Sequence, residues 1–153
     1  MLRKMKRIVS LSPGELLIVL RATLLLPFVA MILRMKGFNW TRSYVQAKGS
    51  KKTPARPADQ IPVAENVTRL VSLTANNLPV KAKCLKRCLV SQWILGGKGI
   101  HADLIIGVNK SGPDLDAHAW LELDGKVINE SQNNRDGYKV MDIGFGDTNI
   151  QNG

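Results

Sequence analysis

Acidic residues are scarce in this chain, and the scarcity is uneven. Of 153 residues, 12 are Asp or Glu against 22 Lys or Arg, a net charge of +10. Residues 1–52 carry eleven Lys or Arg and one acid, Glu15, whereas residues 53–153 carry eleven of each sign. The charge therefore belongs to an N-terminal segment and not to a basic domain with a nucleic-acid groove. Two cysteines and two histidines exclude a disulfide scaffold or a four-cysteine zinc fold. Aromatic residues make up 5% of the chain, too few for the interleaved stacking surface of a single-strand binder, so no nucleic-acid partner is read here. No long uninterrupted apolar run is present. The longest uncharged stretch of the Leu-rich N-terminal segment is residues 22–33, which includes Pro27, whereas a membrane span needs about 20 predominantly apolar residues. No small-x-small cleavage site follows it, which argues against a secretory signal. There is no internal repeat.

With 44% hydrophobic residues, the chain has enough for an ordinary core, and its length suits one domain with an appendage. Residues 1–46 read as a basic, Leu-rich helical extension. Ser12, Pro13 and Glu15 have the spacing of an N-cap, a first-turn proline and a capping box. The apolar run behind them, interrupted at Pro27 and stopped at Gly37, reads as a kinked helical hairpin packing on the later domain. Peripheral contact with an anionic membrane, or docking of its Leu face on a partner protein, remain open for it. Residues 47–62 are rich in Pro, Gly and Lys and read as a linker.

Residues 63–145 form the neutral domain, followed by a polar tail, 146–153. Val67, Leu70, Val71 and Leu78 have helical spacing, ended by Asn76-Asn77-Leu78-Pro79. A second helix is expected over 81–95, closed by Gly96-Gly97-Lys98-Gly99. Strand patterns follow at 104–108, 117–123 and 126–130, the last two joined by Asp124-Gly125, with a further strand at 138–143. Helices followed by an antiparallel meander make an α+β fold.

Cys84 falls in the first turn of the second helix, where the dipole and unpaired amides favour a thiolate and Lys83, Lys86 and Arg87 add positive charge. Cys88, one turn on, suits burial, and both cysteines could equally be small core residues. His118 sits mid-strand between two alanines, and His101 reads as a surface residue. A zinc site built from both cysteines and both histidines lacks the tight knuckle spacing of such sites. A cysteine on a helix N-terminus, a histidine on a later strand and an acid on the next is a Cys-His-acid arrangement. A three-residue hairpin loop pairs 122 with 126 and sets Glu130 across from His118; a two-residue loop sets Ser131 there instead. Glu130 is the preferred acid and Asn129 points to the other face, while Asp124 belongs to the turn.

The blocks Cys84-Leu-Lys-Arg-Cys-Leu, Gly99-Ile-His-Ala-Asp-Leu-Ile-Ile-Gly-Val108 and Ala117-His-Ala-Trp120 ahead of the hairpin resemble the transglutaminase-like leader peptidases of lasso-peptide (microcin-type) biosynthesis, over about 50 residues. The resemblance implies a papain/transglutaminase-like core and a cytoplasmic cysteine peptidase. Such an enzyme removes the leader from a ribosomally made precursor before an ATP-dependent partner cyclase closes the macrolactam. It implies Cys84 as nucleophile, His118 as general base and Glu130 as the acid, with neither cofactor nor metal. Two positions depart from the family's pattern: the acid is usually Asp, and Ser is common where Cys88 stands. The short apolar extension differs from the leader-recognition domain some members carry, so recognition falls to a separate small protein. The competing reading is a non-catalytic module of the same fold that docks maturation partners or a membrane surface.

Overall fold

The computed structural model describes residues 11–49, 57–110, 112–130 and 136–141. Among these described residues, four helices precede a sheet: α1 (Pro13–Lys36), α2 (Phe38–Gly49), α3 (Pro57–Asn77), α4 (Cys84–Gly96), then β1 (Asp103–Asn109), β2 (Asp116–Leu123), β3 (Lys126–Val127) and β4 (Lys139–Met141). The sheet is antiparallel, in the order β3-β2-β1-β4. The fold is α+β.

Helix α1 begins where the capping box places it. The Glu15 N–H donates to Ser12 Oγ at 3.3 Å and the Ser12 N–H to Glu15 Oε2 at 3.0 Å, satisfying two amides that a helix start leaves free. The same carboxylate accepts from Asn66 Nδ2 and Arg69 Nη2 of α3, both at 3.3 Å. Its pKa is held below the usual carboxylate value, chiefly by the Ser12 backbone N–H and then by Asn66. The one acid of residues 1–52 thus both caps α1 and joins it to α3. Pro27 leaves α1 a single 24-residue helix. Its ring lies on the exposed side, where water can take up the carbonyl it leaves unbonded. The flanking Leu26 and Val29 are wholly buried, each contributing roughly 1.5–3 kcal/mol. At the far end Gly37, with φ +80°, donates its N–H to Leu33 O at 3.1 Å and turns the chain into α2.

Within the stretch read as a linker, residues 50–56 lie outside the described residues and residues 57–62 form the first turns of α3. The tail at 146–153 is also outside them. One apolar cluster takes in Ile18, Leu26 and Val29 of α1, Val67 and Leu70 of α3, Leu89 and Leu95 of α4, and Leu104, Ala119 and Leu121 of the sheet. The extension helix therefore contributes to the same core as the sheet.

Two glycines are set by close approach. A Cβ on Gly96 would lie 2.5 Å from Gly49 Cα, so α2 and α4 cross at backbone contact. A Cβ on Gly107 would lie 2.8 Å from the Trp120 ring and from Tyr138 Cβ. Gly107 thereby makes room for Trp120, which is 1% exposed.

The hairpin corrects one expected register. Glu122 pairs with Val127 and Leu123 with Lys126, so the loop is the two-residue one and 122 does not face 126. Asp124 (φ +51°) and Gly125 (φ +78°) both take the left-handed conformation of a type I′ turn, whose twist matches the strands and which Asp-Gly favours. Strand β3 ends at Val127, and after a last backbone bond from Ile128 the chain bends away at residues 129–130.

Gly96→Ala is expected to lower unfolding stability by about 1–3 kcal/mol, because the added methyl meets backbone and not a movable side chain. Gly14→Ala, with open space around it, should be neutral or stabilising by up to about 1 kcal/mol. Urea denaturation of the two variants checks both.

Candidate active site

Cys84 is the first residue of α4. Lys83 before it is extended (φ −67°, ψ 170°) and makes no side-chain cap, so the first amides of the helix are left for whatever lies at its N-terminus. The approach segment is held by two of the three cations read as helping Cys84, Lys86 and Arg87. Lys86 Nζ donates to Lys81 O at 3.0 Å, Arg87 Nε to Ala82 O at 2.9 Å and Arg87 Nη2 to Asn76 Oδ1 at 2.8 Å. Both side chains turn back onto the loop that delivers Cys84. Cys84 itself is part-exposed.

Cys88, one turn on, is buried. Its Sγ donates to Ala119 O at 3.4 Å and accepts from Asn129 Nδ2 at 3.5 Å. Burial above all, with smaller contributions from Cys84 and Glu130, pushes its pKa far above the usual thiol range. It is therefore a packed thiol and not a nucleophile.

His118 lies on β2 opposite Gly107 of β1. Its Nε2 is 2.8 Å from both Oε1 and Oε2 of Glu130, with side-chain exposures of 24% for the histidine and 14% for the acid. That leaves Nδ1 as the ring nitrogen the carboxylate does not take. Glu130 reaches His118 by a route the hairpin register alone does not provide. The Ile128 N–H makes the last ladder bond, to Leu121 O at 3.0 Å. The Asn129 side chain then replaces backbone, Oδ1 accepting from the Leu121 N–H at 2.8 Å, and the chain bends at 129–130. The return arm is pinned to α3 by Thr68 Oγ1 donating to Ile128 O at 2.9 Å and by Lys126 Nζ to Glu65 Oε1 at 2.9 Å. The carboxylate thus reaches the imidazole without a backbone ladder between them.

Cys84, His118 and Glu130 line one pocket of about 220 Å³, together with Ala119 and Asn129. On the His118 side, Tyr138 lies 5.4 Å from the imidazole, ring to ring, and its hydroxyl donates to the Asp116 carboxylate. That bond, followed by a small burial effect, raises the Tyr138 pKa. His101 is exposed and lines a different cavity beside Asp103. Among the described residues no group of three or more His, Cys, Asp or Glu is placed to hold a metal ion.

Three contributors were not legible in the motifs: Asn129 as the ladder substitute, Arg87 as the clamp on the approach loop, and Tyr138 with Asp116 beside the imidazole. The one usable signal was the position of Asn129 next to the candidate acid.

A model of the transglutaminase-like superfamily matches residues 22–142. Among curated proteins, the chain is similar to the microcin J25-processing protein McjB of Escherichia coli, with 36% identity over 61 residues, 40% of this chain and 28% of that protein. The match thus spans less than a third of the relative's length. No solved structure matches significantly.

Two outcomes test this geometry. Iodoacetamide should modify Cys84 in the folded protein and leave Cys88 untouched until denaturant is added, as read by peptide mass spectrometry. The raised Cys88 pKa also fixes the sign of a pH effect. Above about pH 9, the ordinary thiol value, the unfolded chain loses a proton that the folded one keeps. Stability contributed by the buried thiol is therefore complete below that pH and declines above it, by at most about 1.4 kcal/mol per pH unit. Cys88→Val should flatten the decline in the denaturant midpoint.

Proposed function

The chain belongs to the transglutaminase-like superfamily, and within it we propose a cysteine peptidase that removes the leader from a ribosomally made lasso-peptide precursor. Leader removal would precede ATP-dependent macrolactam closure by a partner cyclase, in the cytoplasm where the precursor is made. The observation that carries this reading is the His118–Glu130 pair at 2.8 Å in the pocket that also holds Cys84, the first residue of α4. The similarity to the microcin J25-processing protein supports the substrate class.

In the mechanism, Glu130 holds Nε2 of His118 and orients the ring, and Nδ1 takes the Cys84 thiol proton. The thiolate adds to the carbonyl carbon at the leader–core junction, and the oxyanion is met by the Cys84 backbone N–H at the helix N-terminus. Collapse breaks the C–N bond, and the imidazolium protonates the leaving amine, which becomes the free N-terminus of the core peptide. Water, deprotonated by His118, then adds to the thioester. Breaking the C–S bond releases the leader carboxylate and restores the thiol.

A channel supports a peptide substrate. The Cys84 pocket shares Thr68, Ser72 and Asn129 with a second cavity of about 680 Å³ that runs past Glu65, Arg69, Leu73 and Asn76 of α3. From residue 65 to 76, α3 rises about 16 Å, the length of about five residues of extended peptide. The remaining partners are a separate leader-recognition protein and the cyclase.

Cys84→Ala should abolish leader cleavage in a reconstituted assay with precursor and recognition protein, while Cys88→Ala should stay active. His118→Ala should lose about 10²–10⁴-fold in rate. Undiminished cleavage by Cys84→Ala would overturn Cys84 as the nucleophile, whereas no cleavage by the unaltered protein would favour the non-catalytic docking module. Leu73→Trp, at a residue that lines the larger cavity and not the Cys84 pocket, should raise KM with little change in kcat and leave Cys84 labelling intact.

A further inference from the structure

The apolar surface of α1 is divided between two destinations. Ile18, Ala22, Leu26, Val29 and Ile32 face the core. On the outside, Leu17, Leu20, Leu24, Phe28, Met31 and Met35 are exposed, from 37% at Phe28 to 70% at Met35. Their spacing of three and four residues sets them along one side of a helix about 36 Å long. The stripe continues onto α2 through aromatic contacts. Phe28 meets Trp93 edge-on at 6.0 Å, Trp93 meets Tyr44 at 5.5 Å, and Tyr44 stacks on Trp40 at 5.1 Å. Trp40 is 45% exposed, and Trp and Tyr are the side chains that favour a membrane–water boundary.

Charge selects the occupant. Residues 16–58 contain no Asp or Glu, and Arg21, Arg34, Lys36 and Lys48 are exposed along α1 and α2. A second copy laid on this face would bring cations against cations with no acid between them, which disfavours self-association. An anionic bilayer supplies both an apolar layer for the stripe and phosphates for long cationic side chains to reach. The core-facing side of α1 decides the orientation. By length and composition α1 could cross a membrane, but crossing would pull Leu26 and Val29, both 0% exposed, out of the core. We infer that the protein docks in the plane of an anionic lipid surface through the outer face of α1 and the aromatic end of α2. None of these residues lines the Cys84 pocket, so the inference stands or falls separately from the proposed chemistry.

The test is co-sedimentation of the full chain with vesicles of equimolar phosphatidylglycerol and phosphatidylcholine, and with phosphatidylcholine alone. Binding should be at least about tenfold tighter to the anionic vesicles, each interfacial cation contributing about a fivefold factor. It should weaken as salt shortens the screening length from about 30 Å to about 8 Å. Leu24→Glu and the pair Arg34→Glu with Lys36→Glu should each lose most of the binding while circular dichroism and Cys84 labelling stay unchanged. No sedimentation with anionic vesicles would overturn the proposal. So would a concentration-dependent dimer, or capture by the recognition protein, that Leu24→Glu abolishes in the absence of any lipid binding. Retention of the bound protein after alkaline carbonate extraction would show a spanning helix and overturn the in-plane orientation.

Discussion

Helix α4 is enclosed on nearly every side, and the position of Cys84 follows from that enclosure. Helices α1, α2 and α3 pack against it, as do β1 and β2, and from Cys88 to Gly96 only Trp93 escapes full burial. A helix buried this thoroughly cannot slide or rotate without opening voids in a close-packed core. Its first turn, which projects from that core, therefore presents Cys84 at a set place and angle. The contact between Gly96 and Gly49 tightens the same constraint from the far end, since α2 can approach only where both backbones lack a Cβ. Arg87 and Lys86 extend it forward by holding the carbonyls of the loop ahead of Cys84.

The second half of the site comes from the edge of β2, beyond the point where β3 stops pairing. The two-residue turn at Asp124-Gly125 would by itself set Ser131, not Glu130, across from His118. The Asn129 side chain takes over the Leu121 N–H that a continued strand would have bonded, and this releases the backbone to bend and deliver Glu130. Glu130 does lie against His118, but not through the three-residue-loop register from which it was expected. The type I′ preference of Asp-Gly is local and could have been read more strictly. The substitution of a side chain for a ladder bond is not visible in any local pattern, because it depends on where β3 stops pairing and leaves the Leu121 N–H to Asn129.

Most elements were legible because their causes are local. The capping box of α1, the stop at Asn76–Pro79, the glycines after α4 and the short apolar runs of β1 and β2 each act within a few residues. The start of α3 was less so: residues 57–62 look like a linker by composition and contain Pro62, yet they are helical. Propensity is a weak prior once a helix has a core to pack on, and Ala64, Val67, Leu70 and Val71 are all fully buried. The Leu-rich run was the most ambiguous stretch for the same reason. A helix apolar all round has no periodicity from which to tell a buried face from an exposed one.

The sequence by itself determined the α+β class, the placement of Cys84 at a helix start, the residue types of the candidate site and the confinement of the excess charge to residues 1–52. These rest on capping, turn chemistry and composition, which operate over short distances along the chain. Only the tertiary structure decided that α1 shares one core with the sheet, that its outer face is left uncovered, and that Glu130 meets His118 through a bend supported by Asn129. Those outcomes depend on which surfaces of different segments meet, and neither burial between distant elements nor a side chain taking over a ladder bond on a neighbouring strand leaves a mark in any short window of sequence.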